Sequence, residues 1–381
     1  MPTFVAFVDP NTGEKCSLDR ILDHLELQKQ THSQQTKPKI LFGLPAWKSK
    51  LISRFLVSPG TECDSSRSMR TTRKWESDHP GGEIYTWSLR DGYTASTATS
   101  IRTEDGFLRS VGLGANFHAP ISLVFDSRGM YFDSTRPSDL EVILNETKFS
   151  TSDCERARQL IDSLVRNRIT KYNLKSQSEA DWGSRDQPKI LVPRRQDEHF
   201  RSANGQSPCF SNLAFLERVR RENPSSIIAY KPHPDVAEKL RPGSANLDEM
   251  KYLCDVLIQD LDIIPWLETC DEVHTLTSQT GFEALLRGKD VTCYGVPFYS
   301  GWGLTTDKIH CDRRNRKLRI EELVAGVLMD YPLYLNPNTS EFMTAHDASK
   351  FLSSENSVEI FSRPMLFRVT AAVKRLIHPL R

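Results

Sequence analysis

Charge of one sign is absent from the balance of this 381-residue chain: 50 lysines and arginines stand against 49 acids, for a net charge of +1. A basic footprint for nucleic acid is thereby excluded as a global property. The eight cysteines (16, 63, 154, 209, 254, 270, 293 and 311) are scattered, with no CxxC and no Cys/His cluster. That spacing argues against a disulfide scaffold and against a zinc site, and fits reduced thiols in a cytoplasm. No apolar run approaches the roughly 20 residues that a membrane-spanning helix needs. The opening MPTFVAFVDP lacks both the basic and the long apolar regions of a signal peptide. No internal repeat is visible. The chain is expected to be made and kept in the cytoplasm.

What is present is enough for two domains of ordinary size, with 38% apolar residues to build their cores. Residues 1–37 read as a polar N-terminal extension that ends in THSQQTK. KILFGL, at 39–44, reads as a first strand, and Trp47-Lys48 as the turn into a helix. Residues 58–82, rich in Ser, Arg, Thr and Gly, read as a long mobile loop. Residues 84–87 and 121–125 are further strand candidates. Ser152 to Glu155 reads as a capping box, opening a helix with Leu160, Ile161, Leu164 and Val165 on one face. Residues 173–188 suit a linker, so a first α/β domain is expected over 38–185.

A second domain is expected over 186–340. Its strands fall at 189–193, 227–230, 273–276 and 291–294, with helices at 212–222 and 281–287. Strand–helix alternation with short connections predicts a mostly parallel, doubly wound sheet. Two such units with a cleft between them make a two-Rossmann arrangement. The remainder, 341–381, reads as a helical tail. Its end, FSRPMLFRVTAAVKRLIHPLR, carries five basic residues and no acid. It fits either a helix lying on a membrane surface or one packed back on the body.

Residues with chemistry cluster just past strand ends, where open α/β sheets hold phosphorylated ligands. In YKPHPD, Pro232 and Pro234 stiffen the loop that carries His233, and Lys231 adds charge beside it; an imidazole N–H there donates to a phosphate. Alone, a His-Pro turn is more often structural. In TSQTG, the hydroxyls of Thr277, Ser278 and Thr280 precede a helix opening at Gly281 and suit a phosphate or carboxylate. Glu283 follows, positioned for ribose hydroxyls or simply for the helix dipole. The loop GVPFYSGWGL, with Trp302, reads as a sugar wall or a buried connection. After the strand at 189–193, RRQDEH offers two carboxylates for nucleophile or base, or else a solvated charge run. EDGFLRS places Glu104 and Asp105 near Arg109, a carboxylate clamp or a structural ion pair.

Taken together, EDGFLRSVGLGA, the stretch from Pro120 to Glu141, YKPHPDV, and the run from Val273 to Asp307 resemble the capsule polysaccharide β-Kdo transferases of the KpsC type. The resemblance covers roughly residues 39–340, one module's worth. It implies a GT-B-like α/β fold, with two Rossmann-type domains and the active-site cleft between them. It implies CMP-Kdo as donor and a lipid-linked Kdo acceptor at the cytoplasmic face of an inner membrane, with retention of configuration. It also implies that His233 contacts the donor phosphate and that Thr277, Ser278 and Glu283 line the CMP site. Glu104, Asp105 and Arg109 then face the sugar and acceptor, as do Arg195 and Trp302 in the same reading.

One segment departs from the family. Where members read Gly-Gln-Val-Glu-Asp-Asp-Ala-Ser, this chain has Arg194 to Arg201 as RRQDEHFR. Retention through a covalent intermediate needs a carboxylate, and Asp197 and Glu198 are those available. If the family nucleophile corresponds to His199, double displacement is lost. No Asp-x-Asp signature lies beside a donor-site strand, so neither metal nor cofactor is expected. The other expected partners are the inner-membrane surface and further capsule assembly proteins. The rival reading is a degenerate module that binds nucleotide or glycolipid without turnover. A nucleotide-sugar epimerase is a weaker third, which EDGFLRS argues against.

Overall fold

A computed structural model describes residues 6–89, 93–112, 119–173, 179–183, 186–194, 211–232, 250–259 and 262–354. The N-terminal segment is not a loose appendage. A short hairpin of β1 (Phe7–Val8) and β2 (Lys15–Cys16) leads into α1 (Leu18–Ser33), whose N-cap Ser17 accepts from the Arg20 N–H. Arg20 pairs with Asp9 at 2.6 Å and with Asp347 at 2.7 Å, and Gln28 exchanges two hydrogen bonds with the Phe342 backbone. Polar composition hid this docking because the helix is held by side-chain bonds rather than by a wide apolar face.

The first domain then runs β3 (Lys39–Phe42), α2 (Ala46–Leu56), β4 (Cys63–Ser66), α3 (Met69–Asp78), β5 (Glu83–Trp87), β6 (Thr99–Asp105) and β7 (Ser122–Asp126). The expected loop at 58–82 is corrected here. It contains β4, an edge strand paired in parallel with β3, and α3, anchored by Trp75, whose indole N–H donates to Asp64 at 2.7 Å. An edge strand and a helix with one buried large apolar residue leave little hydrophobic pattern to read. Next come α4 (Asp139–Glu146) and α5 (Thr151–Arg166). The capping box of α5 is Ser150 with Asp153, two residues before the predicted one. Leu160 and Leu164 are buried as the periodicity requires.

The second domain holds β8 (Lys189–Pro193), α6 (Asn212–Glu222), β9 (Ile227–Lys231), β10 (Val256–Leu257), α7 (Ile264–Thr269), β11 (Glu272–Thr275), α8 (Gln279–Leu285), β12 (Asp290–Cys293) and β13 (Thr306–Asp307). Its strands are all parallel, in the order β10-β9-β8-β11-β12-β13. Such strands are covered on both faces and read as apolar runs; Ile190 to Val192 and Ile227 to Tyr230 are buried throughout.

The chain then returns to the first domain, which corrects the expected boundary at 340. After α9 (Ile320–Val324) and a π-helical turn (Ala325–Asp330), β14 (Pro332–Leu335) pairs antiparallel with β7, and β15 (Phe342–Met343) extends that edge before α10 (Ala345–Ser353). The first sheet is therefore seven-stranded, β15-β14-β7-β6-β5-β3-β4. The return packs closely: a Cβ at Gly326 would stand 2.6 Å from Leu144 of α4. The result is an α/β, GT-B-like fold of two Rossmann-type domains. Their carboxyl ends meet where Gln279 Nε2 donates to the Phe107 carbonyl at 2.9 Å, and Phe107 packs on Phe298 at 4.7 Å between ring centres.

Candidate functional site

On the first domain, β6 ends in Glu104 and Asp105, and Gly106 turns the chain at once. A Cβ at Gly106 would fall 2.2 Å from Ser122 Oγ, so the turn is open only to glycine. Asp105 Oδ2 accepts from Arg109 Nε at 2.7 Å, and Arg109 Nη1 donates to Ser110 Oγ at 2.8 Å. Burial opposes ionisation of Asp105, but Arg109 and Lys171 outweigh it and hold the carboxyl below its usual range. Glu104 has no such guanidinium. Burial and the adjacent Asp105 charge push it up to about 7. The two neighbouring acids are thus separated: Asp105 is ionised and occupied, while Glu104 titrates near neutrality, as a general acid or base requires.

Arg109 is 5% exposed and committed to Asp105 and Ser110. The side chain sits in the structural ion pair that the motif also offered, with two of its five N–H donors placed within the chain. The expected role of Trp302 is corrected. This residue is 0% exposed, and its indole N–H donates to the Phe298 carbonyl at 2.9 Å. It braces the loop from inside and presents no face to a sugar.

On the second domain, β8 connects to β9 on one side while its other neighbour is β11, so a topological switch point opens past β8 and β11. Lys231 ends β9, and its carbonyl accepts from the backbone N–H of the buried Arg194, just past β8, at 2.8 Å. Thr277 and Ser278 follow β11. Ser278, not Gly281, caps the helix: its Oγ accepts from the Thr280 N–H at 3.3 Å, and α8 opens at Gln279. Thr277, Ser278 and Thr280 are half-buried. Gly281 has another reason to be glycine. A Cβ there would lie 2.2 Å from Tyr299 Oη, which donates to the Ser278 carbonyl at 2.5 Å.

Glu283 stands at the domain boundary. Its Oε1 accepts the Lys171 backbone N–H at 3.0 Å, while the Lys171 carbonyl accepts from the N–H groups of Arg109 and Ser110 at 3.2 and 3.3 Å. One peptide strap thereby ties the acid-pair turn to α8. Burial pushes the Glu283 carboxyl up, against the pull of that N–H and of Arg287. Its side chain joins the two domains. Burial likewise pulls the Lys171 ammonium below its usual range, against Asp105 and Glu104.

The structure therefore brings Glu104, Asp105, Lys171, Glu283 and the 277–280 turn to one cleft, with Lys231 and Arg194 on the adjoining strand ends. Lys171 was not expected from the sequence, because nothing local in TKYN marks it; only the fold puts it beside the acids. Arg195, Asp197, Glu198, His199, His233 and the basic tail lie outside the described residues. Among the described residues no cluster of His, Cys, Asp and Glu is arranged to hold a metal ion. No helix of the described residues is long and apolar enough to cross a membrane.

The family described as capsule polysaccharide biosynthesis protein matches residues 93–334. The chain is 37% identical over 359 residues to the capsule polysaccharide modification protein LipA of Neisseria meningitidis serogroup A, covering 93% of this chain and 51% of that protein. It thus spans about half the length of that relative. It is 33% identical over 316 residues to the lipopolysaccharide-processing protein LpsZ of Rhizobium meliloti, covering 79% of this chain and 71% of that one. Two solved structures from Thermosulfurimonas dismutans are similar. One is KpsC, β-Kdo 2,7 transferase, with TM-score 0.68, 35% identity, and coverage of 83% of this chain and 99% of that one. The other is KpsC, β-Kdo 2,4 transferase, with TM-score 0.71, 27% identity, and coverage of 85% and 100%.

Proposed function

Because this chain belongs to the capsule polysaccharide biosynthesis protein family, we propose that it is a glycosyltransferase moving Kdo from CMP-Kdo to a lipid-linked Kdo acceptor. The observation that carries the reading is the match to two β-Kdo transferase structures over 99% and 100% of their lengths. The chemistry of the cleft supports it. Cytidine monophosphate leaves when cations and N–H groups absorb its charge. Lys231 ends β9 and Arg194 follows the adjacent β8, where that charge would develop, with His233 two residues beyond Lys231 in the chain. The reading asks for no metal and no cofactor.

In this reading Glu104 is the acid–base residue, since it alone of the two adjacent acids exchanges a proton near neutral pH. As a carboxylate it takes the proton of the acceptor hydroxyl. Asp197 or Glu198 serves as the nucleophile for retention. The protein works at the cytoplasmic face of the membrane that carries the acceptor lipid. A second reading, a binding module without turnover, is favoured by one observation: in RRQDEHFR, at 194–201, the family's glutamine and final aspartate are replaced by Arg195 and His199.

Purified protein incubated with CMP-Kdo and a synthetic Kdo-lipid separates the two. CMP release with a product heavier by one Kdo is the expected result. Turnover that survives both Asp197→Ala and Glu198→Ala removes those nucleophiles. Saturable CMP binding without any turnover selects the binding module.

A further inference from the structure

The acid pair has a neighbouring hydroxyl that the chain itself does not use. Tyr131 follows β7 and stands at the junction between the domains. Its ring packs on Phe107 of the first domain, 4.7 Å between centres, and on Phe298 of the second, at 5.5 Å. Phe132 and Tyr331 add contacts at 5.1 and 6.3 Å. Three of the four are edge-on, an arrangement that fixes the plane of the ring and with it the direction of the O–H bond's carbon.

Packing alone asks for no hydroxyl here. Phe107, Phe132 and Phe298 carry none, and phenylalanine would fill the same space. Other tyrosines nearby spend theirs within the chain: Tyr331 donates to Asp126 at 2.7 Å, and Tyr299 to the Ser278 carbonyl at 2.5 Å. The Tyr131 hydroxyl has no hydrogen-bond partner among the described residues. Nor is it sealed in: Tyr131 is half-buried, and its oxygen keeps access to solvent. Burial, and then the charges of Glu104 and Asp105, hold the phenol well above its usual range. It is therefore a neutral donor throughout the pH range in which Glu104 exchanges its proton.

We propose that the Tyr131 hydroxyl donates to the attacking oxygen of the acceptor sugar and holds that oxygen beside Glu104. The identity of the acceptor rests on the transferase reading. The sugar hydroxyl accepts from Tyr131 and points its own O–H at the Glu104 carboxylate. When its oxygen bonds to the anomeric carbon of the transferred Kdo, the bond from that carbon to its leaving group breaks. The proton passes to Glu104, and Tyr131 keeps its own. A ring already held by its neighbours loses little freedom on binding. A fixed donor also tells a hydroxyl from a hydrogen at one position of the sugar.

The test is calorimetric titration of the full chain, without donor, against a synthetic Kdo glycoside and its monodeoxy analogues. Tyr131→Phe should bind the parent sugar about 3- to 10-fold more weakly than the wild type. For one analogue, lacking the hydroxyl that becomes glycosylated, the two proteins should bind alike. The unfolding temperature should not fall, since no hydrogen bond within the chain is lost. Equal affinity of both proteins for the parent, the same loss with every analogue, or no binding by the wild type overturns the proposal. So does a Tyr131→Phe protein that unfolds at a clearly lower temperature. The expected binding pattern without turnover from CMP-Kdo would remove the catalytic reading and leave Tyr131 as a sugar contact. Turnover with an unchanged acceptor KM in Tyr131→Phe would remove the contact and leave the enzyme.

Discussion

Arg109 Nε lies 2.7 Å from Asp105 Oδ2, and that pair divides two adjacent carboxylates between different tasks. Asp105 is fixed as an anion by the guanidinium. Glu104, left with burial and a like charge next to it, rises to about 7. A structural ion pair thereby tunes the group beside it.

Glu104→Gln should lower turnover by about 100-fold or more, the usual worth of a positioned acid–base residue, and remove the limb of the pH–rate profile near 7. Stability should move the other way. A carboxyl whose folded pKa is raised contributes stability that is fully present below its unfolded value and is lost as pH rises through the folded one. The wild type should therefore lose stability between about 4.5 and 7, and Glu104→Gln should not. Thermal unfolding near pH 4.5 and at pH 8 checks this: the two proteins melt together at the lower pH, and the variant melts higher at the upper.

Asp105→Asn should destabilise by roughly 3–5 kcal/mol, because it strands the buried Arg109 charge. Combining it with Arg109→Met removes the stranded charge and should recover part of the loss, as seen in urea unfolding of the single and double variants. Were Arg109 instead a substrate clamp, Arg109→Met alone would change substrate affinity more than stability.

Four strands of the second domain, β8, β9, β11 and β12, were legible, β8 and β9 most plainly because parallel strands covered on both faces are largely apolar; the two-residue β10 and β13 were not, and α6, at Asn212–Glu222, fell where expected. β6 was not legible. TSIRTED alternates weakly, and its place in the sheet comes from β5 and β7 on either side. The acid pair was legible as a motif, but the division of labour within it was not, since that depends on where Arg109 and Lys171 point. The return of β14 to the first sheet was hidden for the same reason: its pairing with β7 is a contact made some 200 residues apart. Trp302 was misread because an aromatic in a glycine-rich loop looks alike whether it faces a cleft or a core.

Away from the cleft, Glu76 supports the segment after Tyr93. Its Oε1 accepts the backbone N–H groups of Ser96, Thr97 and Ala98 at 2.6, 2.8 and 3.0 Å. Burial opposes its charge, but the Tyr93 hydroxyl and those N–H groups prevail and hold the carboxyl down to about 2. A depressed carboxyl contributes stability present above its unfolded pKa and lost as pH falls through the folded one. Stability should decline from pH 4.5 toward 2, and Glu76→Gln should flatten that decline. At neutral pH the substitution should cost roughly 1–3 kcal/mol, since charge-assisted bonds become neutral ones. Urea midpoints across that pH range give the answer.

Gly281 and Tyr299 form a second testable pair, this one at the 277–280 turn. A methyl group on residue 281 would meet Tyr299 Oη at 2.2 Å and the ring carbon bearing it at 2.7 Å. Tyr299 is fully buried, so it has nowhere to retreat. Gly281→Ala should cost about 1–3 kcal/mol, as overpacked cores do, and should disturb the turn by pushing the hydroxyl off the Ser278 carbonyl. Tyr299→Phe deletes the nearest clashing atom but also that hydrogen bond, for about 1 kcal/mol. The two substitutions should therefore be non-additive, the double variant being more stable than the sum of the single losses allows. Only part of the loss should return, because the ring carbon still crowds the methyl group. A double-mutant cycle in urea reads the coupling directly. Strict additivity would mean that the turn yields instead of the ring, and that Tyr299 does not set the position of Ser278.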